Sequence, residues 1–154
     1  MVDKFHGHNL RKGRVSLQGQ IYLVTAVTHQ RQPVFSDICA GRIVVHEIRR
    51  SVLLGDTDTL AFVVMPDHLH WMFSLAGSRT LSSVVGAVKR HFARQINEVS
   101  LRAGKHVWQR GFHDHALRRE EDVMQVARYI VANPLRAGLV SRIGDYPLWD
   151  VAWL

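Results

Sequence analysis

The stretch MPDHLHWMF, Met65 to Phe73, sets two histidines one residue apart inside an apolar run, directly after a Pro-Asp turn signal. The run reads as a strand. Side chains alternate along a strand, so His68 and His70 share a face and lie close together. Two imidazoles aimed at one point suit a metal ion, a phosphate, or a hydrogen bond between themselves.

Working outward, Thr59 to Met65 reads as a second strand, joined to His68–Leu75 by a tight turn at Pro66-Asp67. Gln20 to Thr28 (QIYLVTAVT) is rich in β-branched and aromatic residues and predicts a strand. Ser36 to Leu54 is helical, with Ser36 or Asp37 as cap, a stripe of Ile38, Val45, Ile48, Val52 and Leu53, and Gly55 as the stop. A second amphipathic helix is expected over Leu81 to Leu101, and an extended segment over Lys105 to Leu117. The last long helix runs from Glu120 to Val131, interrupted at Asn133-Pro134, with a short turn through Leu139. The order β-α-β-β-α-β-α predicts an α+β, ferredoxin-like (RRM-like) split βαβ fold. Its antiparallel sheet carries helices on one face, leaves the other free for a ligand, and is followed by an extra C-terminal helix.

Composition narrows the function. The 154 residues are expected to form one domain, 1–154, and the 47% hydrophobic and 21% charged content is that of a globular chain. No apolar run is long enough for a membrane span, the N-terminus is too polar for a signal peptide, and the single cysteine, Cys39, excludes an internal disulfide. A cytoplasmic location is expected. With 20 Lys+Arg against 13 Asp+Glu, the formal charge is +7, a field that attracts polyanions. Basic residues cluster at Arg11, Lys12 and Arg14, at Arg49 and Arg50, at Lys89, Arg90 and Arg94, and at Arg118 and Arg119. They are spread over several elements, as an extended nucleic-acid surface requires. Trp71, Phe92, Trp108, Phe112 and Trp149 are candidate stacking platforms.

The final helix separates two stripes. Val123, Val126, Ala127, Ile130 and Val131 fall on one side; Asp122, Gln125, Tyr129, Asn133 and Arg136 fall on the other. Tyr129 is off the apolar face and one turn from the Asn133 amide. That pairing suits a nucleophile beside a ligand, and equally an interfacial tyrosine with a wet hydroxyl.

MPDHLHW resembles the HUH motif (His, bulky apolar, His) of single-tyrosine HUH transposases. WQRGFHDHALRREEDVMQVARYIVANPLRAGLV, Trp108 to Val140, resembles the C-terminal half of the REP-associated tyrosine transposase branch, and DYPLWDVAW its usual ending. The resemblance implies a metal-dependent endonuclease and strand transferase that cleaves and rejoins single-stranded DNA through a 5′-phosphotyrosine. It makes Tyr129 the nucleophile and His68 and His70 metal ligands. Family members often place glutamine four residues after the tyrosine as third ligand. Here Asn133 takes that place as a metal ligand, direct or through water, with helix termination as its other role. The ion implied is Mg2+ or Mn2+, although two imidazoles and an amide are softer than magnesium's usual oxygen shell. The partners implied are hairpins of repetitive extragenic palindromes (REP), read in part by the N-terminal region, with the protein a monomer rather than a dimer. Rejoining needs no nucleotide cofactor, and no Walker-type loop is seen.

Arg11, Lys12, Arg14, Lys89, Arg90, Arg94 and Arg118 are the expected DNA contacts. Two other readings stand beside the transferase. One is a REP-hairpin-binding protein without catalysis. The other is a zinc hydrolase, in which His113 and His115 join His68 and His70 around a zinc ion.

Overall fold

The computed structural model of the protein describes residues 16–100, 104–118 and 122–152. Five strands form one antiparallel sheet: β1 (Ile21–Val27), β2 (Thr57–Met65), β3 (His68–Leu75), β4 (His113–Ala116) and β5 (Trp149–Val151), in the order β4-β1-β3-β2-β5. Strand β3 occupies the centre, and the two-residue Pro66-Asp67 connection makes β2 and β3 a hairpin with Met65 opposite His68. The architecture is the expected α+β fold. The short closing strand β5 was not anticipated from the sequence; it extends the sheet beyond β2.

Helices α1 (Ile38–Leu53) and α2 (Leu81–Val99) cover one face of the sheet. Asp37 caps α1 by accepting from the Cys39 N–H, and Thr80 caps α2 by accepting from the Ser83 N–H. Gly55, at φ +77°, turns the chain out of α1 as predicted. Leu81, Val84, Val85, Val88 and Phe92 of α2 pack on Tyr22, Val24, Trp71 and Phe73 of the sheet. Three candidate stacking platforms, Trp71, Phe92 and Phe112, are buried in or beside this core. Trp71 Nε1 donates to Thr59 Oγ1 at 3.0 Å, which lets the indole be buried without losing a hydrogen bond.

Helix α1 uses a different stripe from the one its large apolar residues suggest. It buries Ala40, Gly41, Val44, Glu47, Ile48 and Ser51, whereas Leu53 is 88% exposed. Close packing explains the preference for small residues: a Cβ on Gly41 would lie 2.3 Å from Leu148 Cδ1. The buried Glu47 carboxylate accepts from the Gln95 amide of α2, so its charge is not left unsatisfied.

The C-terminal helix α3 (Val123–Val131) packs on the other face, against β2 and β5. Asp122 accepts from the Met124 and Gln125 N–H groups and caps it; the expected first turn at Glu120 lies outside the described residues. Ala127, Ile130 and Val131 meet Ala61, Val63, Met65 and Met72 in a second, smaller cluster. The face expected to be open is therefore partly roofed by the tyrosine helix. Ala132 separates α3 from the one-turn helix α4 (Asn133–Arg136) but keeps helical dihedrals, so the spacing of the polar stripe continues across the break. From Lys105 to Leu117 only β4 and a single bridge between Trp108 and Thr28 are sheet-like, because Gly111 at φ +75° turns the chain between them. Among the described residues, no helix is long and apolar enough to cross a membrane.

Gly41→Val should destabilise the fold by about 1–3 kcal/mol, seen as a lower urea midpoint at unchanged slope, because Leu148 is confined in the core.

Candidate nucleic-acid-processing site

Alternation along β3 sends Leu69, Trp71 and Phe73 to the α1/α2 core and His68, His70 and Met72 to the face that carries α3. The two histidine rings lie edge to face, 4.8 Å between centroids. Each is oriented through Nδ1. His68 Nδ1 lies 2.7 Å from Asp67 Oδ1, and His70 Nδ1 lies 2.8 Å from Thr25 Oγ1 on β1. Where Nδ1 carries the proton, as the Asp67 carboxylate favours at His68 and the Thr25 hydroxyl allows at His70, the lone pair for a ligand lies at Nε2. Holding a metal-binding imidazole through its second nitrogen fixes both tautomer and ring angle.

Asp67 is itself held. Its Oδ2 accepts from Arg31 Nη1 at 3.1 Å, and its backbone carbonyl accepts from the Thr28 N–H at 2.9 Å. Arg31 and Gln30 sit at φ +50° and +52°, left-handed backbone that costs a non-glycine residue about 1 kcal/mol or more. Arg31 is largely exposed, and an exposed ion pair contributes at most about 1 kcal/mol. The turn is instead maintained by its backbone bonds, including His29 N–H to the Val107 carbonyl and Arg31 N–H to the Thr28 carbonyl. The result is an aspartate aimed at His68.

Burial by itself pushes the Asp67 carboxyl up, but hydrogen bonds from His68 and Arg31, and their charges, bring it below its ordinary value. His70 moves further. Burial, then the charges of His68 and Arg136, lower it from 6.5 to about 4. His70 is therefore a neutral imidazole across the physiological range, the form that donates a lone pair to a cation.

Tyr129 is 64% exposed on α3, on the same side of the sheet as the histidines. The Arg136 guanidinium lies over its ring, Cζ 3.8 Å from the centroid, and Arg136 Nη2 donates to Asn133 Oδ1 at 2.5 Å. That bond takes one lone pair of the amide oxygen and leaves the other. The donor set fits a divalent cation: two imidazoles from adjacent like-facing positions, with an amide oxygen on the neighbouring helix. Among the described residues no cluster of three or more His, Cys, Asp and Glu side chains is poised for a metal. Such an ion would draw its remaining ligands from substrate oxygens and water.

The second H-x-H pair is close by but separate. Register puts His113 opposite Thr25, which is opposite His70, so His113 and His115 face the same side two strands away, roughly 10 Å in backbone spacing. The four histidines do not gather around one point, as the zinc-hydrolase reading would require.

The predicted basic contacts divide. Lys89, Arg90 and Arg94 lie on α2, behind the sheet from the histidines. Lys89 Nζ donates to the Gln109 and Gly111 carbonyls, and Trp108 Nε1 donates to the Lys89 carbonyl, so this lysine ties the 104–112 loop to α2. Arg90, Lys105, His106 and Trp108 border a groove of about 510 Å³ on that side. Arg94 pairs with Glu98 on the surface. Arg118 is exposed just beyond β4, while Arg11, Lys12 and Arg14 lie outside the described residues. The sequence reading missed the orienting residues Thr25, Asp67 and Arg31. Arg136 was visible on the Tyr129 stripe but carried no role.

This geometry meets its counterpart in known proteins. The family described as "Transposase IS200 like" matches residues 16–133, well over half of the chain. The chain belongs to the IS200-like transposase family. It is 32% identical over 88 residues to a REP-associated tyrosine transposase of Escherichia coli K12, covering 56% of this chain and 50% of that protein. The match thus spans about half the length of that curated relative. A solved structure of a REP-associated tyrosine transposase bound to a REP hairpin superimposes with a TM-score of 0.73 at 25% identity, over 88% of this chain and 79% of the other. A crystal structure from Deinococcus radiodurans shares the fold, at TM-score 0.55 and 22% identity over 78% of this chain and 95% of the other.

In the metal-free protein, ring NMR should show His70 titrating at about pH 4. Unfolded His70 titrates near 6.5, so between these values the unfolded chain binds more protons. His70's contribution to stability is complete above about pH 6.5 and declines as the pH falls to about 4.

Proposed function

We propose that this IS200-like transposase cleaves and rejoins single-stranded DNA at REP-type hairpins, with Tyr129 as nucleophile. The observation that carries the reading is that one sheet face carries two imidazoles, each oriented through Nδ1, and a capped helix bearing an exposed tyrosine. The named hairpin complex, a structural relative, supports a hairpin as the substrate class.

In this reading His68, His70 and Asn133 are the residues that would hold a divalent ion, Mg2+ or Mn2+. Such an ion, when bound, would neutralise phosphate charge and assist departure of the 3′ oxygen. Asp67 and Thr25 keep the two imidazoles turned toward the phosphate. Tyr129 Oη attacks phosphorus: the Tyr129 O–P bond forms as the P–O3′ bond breaks. The phenolic proton passes to solvent, and the departing 3′ oxygen takes one up. The phosphodiester energy is kept in the phosphotyrosine, so the reverse attack by a 3′-OH reseals the strand without a nucleotide cofactor. Arg11, Lys12, Arg14 and Arg118 serve as backbone contacts on this reading, and Arg90 and Arg94 serve a longer path around the edge of the sheet. Phosphate contacts of this kind position DNA without reading its sequence. The protein acts as a monomer in the cytoplasm.

The test uses single-stranded oligonucleotides carrying palindromic repeats from the host genome. A covalent protein–DNA adduct should form on a denaturing gel only with Mg2+ or Mn2+. It should disappear in Tyr129→Phe and fall roughly 100-fold or more in His68→Ala. Tight hairpin binding with no adduct under any ion would instead identify a binding protein without catalysis.

A further inference from the structure

Tyr129 poses a problem of order. Its ring is 64% exposed, so core packing does not restrain it, yet attack on phosphorus demands a narrow range of approach. The nearest restraint is Arg136, seven residues on, which the helical dihedrals of Ala132 bring onto the same stripe. The guanidinium lies flat enough over the phenol to place Cζ 3.8 Å from the ring centroid. Its orientation is set in turn by Nη2 donating to Asn133 Oδ1. Arg136 thus links the expected nucleophile and the expected third ligand in one unit.

The same guanidinium has capacity to spare. Stacking occupies its face, whereas hydrogen bonding uses its edge. Of five N–H donors, Asn133 takes one; among the described residues no other acceptor engages the exposed Arg136 side chain. A permanently charged fork with open edge donors, lying over the ring of the expected nucleophile, has the chemistry of a phosphate-oxygen site.

We infer that Arg136 has two duties, holding the Tyr129 ring through its face and binding a non-bridging oxygen of the attacked phosphodiester through its edge. This rests on the strand-transfer reading above and adds a residue to it. It also explains the choice of arginine: lysine offers neither a planar face to stack nor a fork to bridge an amide and a phosphate.

Two readouts test it. In single-turnover cleavage at saturating hairpin, Arg136→Ala should slow adduct formation by roughly 100-fold, beyond an about tenfold loss of hairpin affinity, and Arg136→Lys should recover under a tenth of the lost rate. The second readout needs no turnover. In a Tyr129→Phe background, which keeps the ring, and with divalent ions chelated, a neutral methylphosphonate at the attacked linkage should weaken binding about tenfold when Arg136 is present and leave it unchanged with Arg136→Gln. Wild-type cleavage by Arg136→Ala, or an equal methylphosphonate penalty with and without Arg136, overturns the inference and leaves the strand-transfer reading intact. An adduct that persists in Tyr129→Phe overturns both.

Discussion

The central strand β3 imposes the constraint on which everything else depends. It is hydrogen-bonded to β1 on one side and β2 on the other, so neither its register nor its facing can slip without breaking two ladders. Leu69, Trp71, Phe73 and Leu75 are each at most 2% exposed on the α1/α2 side. Burying side chains of this size stabilises the fold by about 1.5–3 kcal/mol each. A one-residue slip would drive both histidines into that core and expose the aromatic residues. The position of the imidazoles is thus enforced by the apolar residues between them, at an energy far above anything the imidazoles contribute themselves.

Around this fixed pair the protein invests in orientation rather than stability. The left-handed turn at Gln30 and Arg31, the exposed Arg31–Asp67 pair and the Thr25–His70 bond add little net stability. Each determines where a lone pair points. The electrostatic consequences also differ between neighbours. Asp67 is held below its ordinary value by hydrogen bonds from His68 and Arg31, while His70 is held neutral chiefly by burial. A carboxylate stands behind one imidazole and a hydroxyl behind the other.

The two faces of the sheet carry different duties. One is closed by α1 and α2 into the main core, with even a lysine, Lys89, drawn into tying a loop by two carbonyl contacts. Among the described residues the other is covered where α3 and α4 meet β2 and α3 meets β5, with the half-buried histidines beside them. A nucleic-acid strand can approach the second face, and rigidity comes from the first. Basic charge on both sides contributes to the long-range field whichever side the strand contacts.

Alternation along MPDHLHWMF, the Pro-Asp turn and the helical spacing of Tyr129, Asn133 and Arg136 were legible because they are local periodicities, set by backbone geometry over a few residues. They determined the strand pair, the common face of His68 and His70, and the polar stripe of the last helix. Local pattern could not say that Val52 and Leu53 face solvent while Gly41 and Ser51 are buried, since that depends on how closely Leu148, about a hundred residues away, approaches α1. Nor could it show β5, three residues recruited by the exposed edge of β2. The partners of the site were equally hidden: Thr25 lies 45 residues from His70 and Arg31 lies 36 from Asp67. The sequence alone determined which residues share a face. Only the tertiary structure decided which of them meet, because strand order and helix docking are settled by long-range burial that no short window contains.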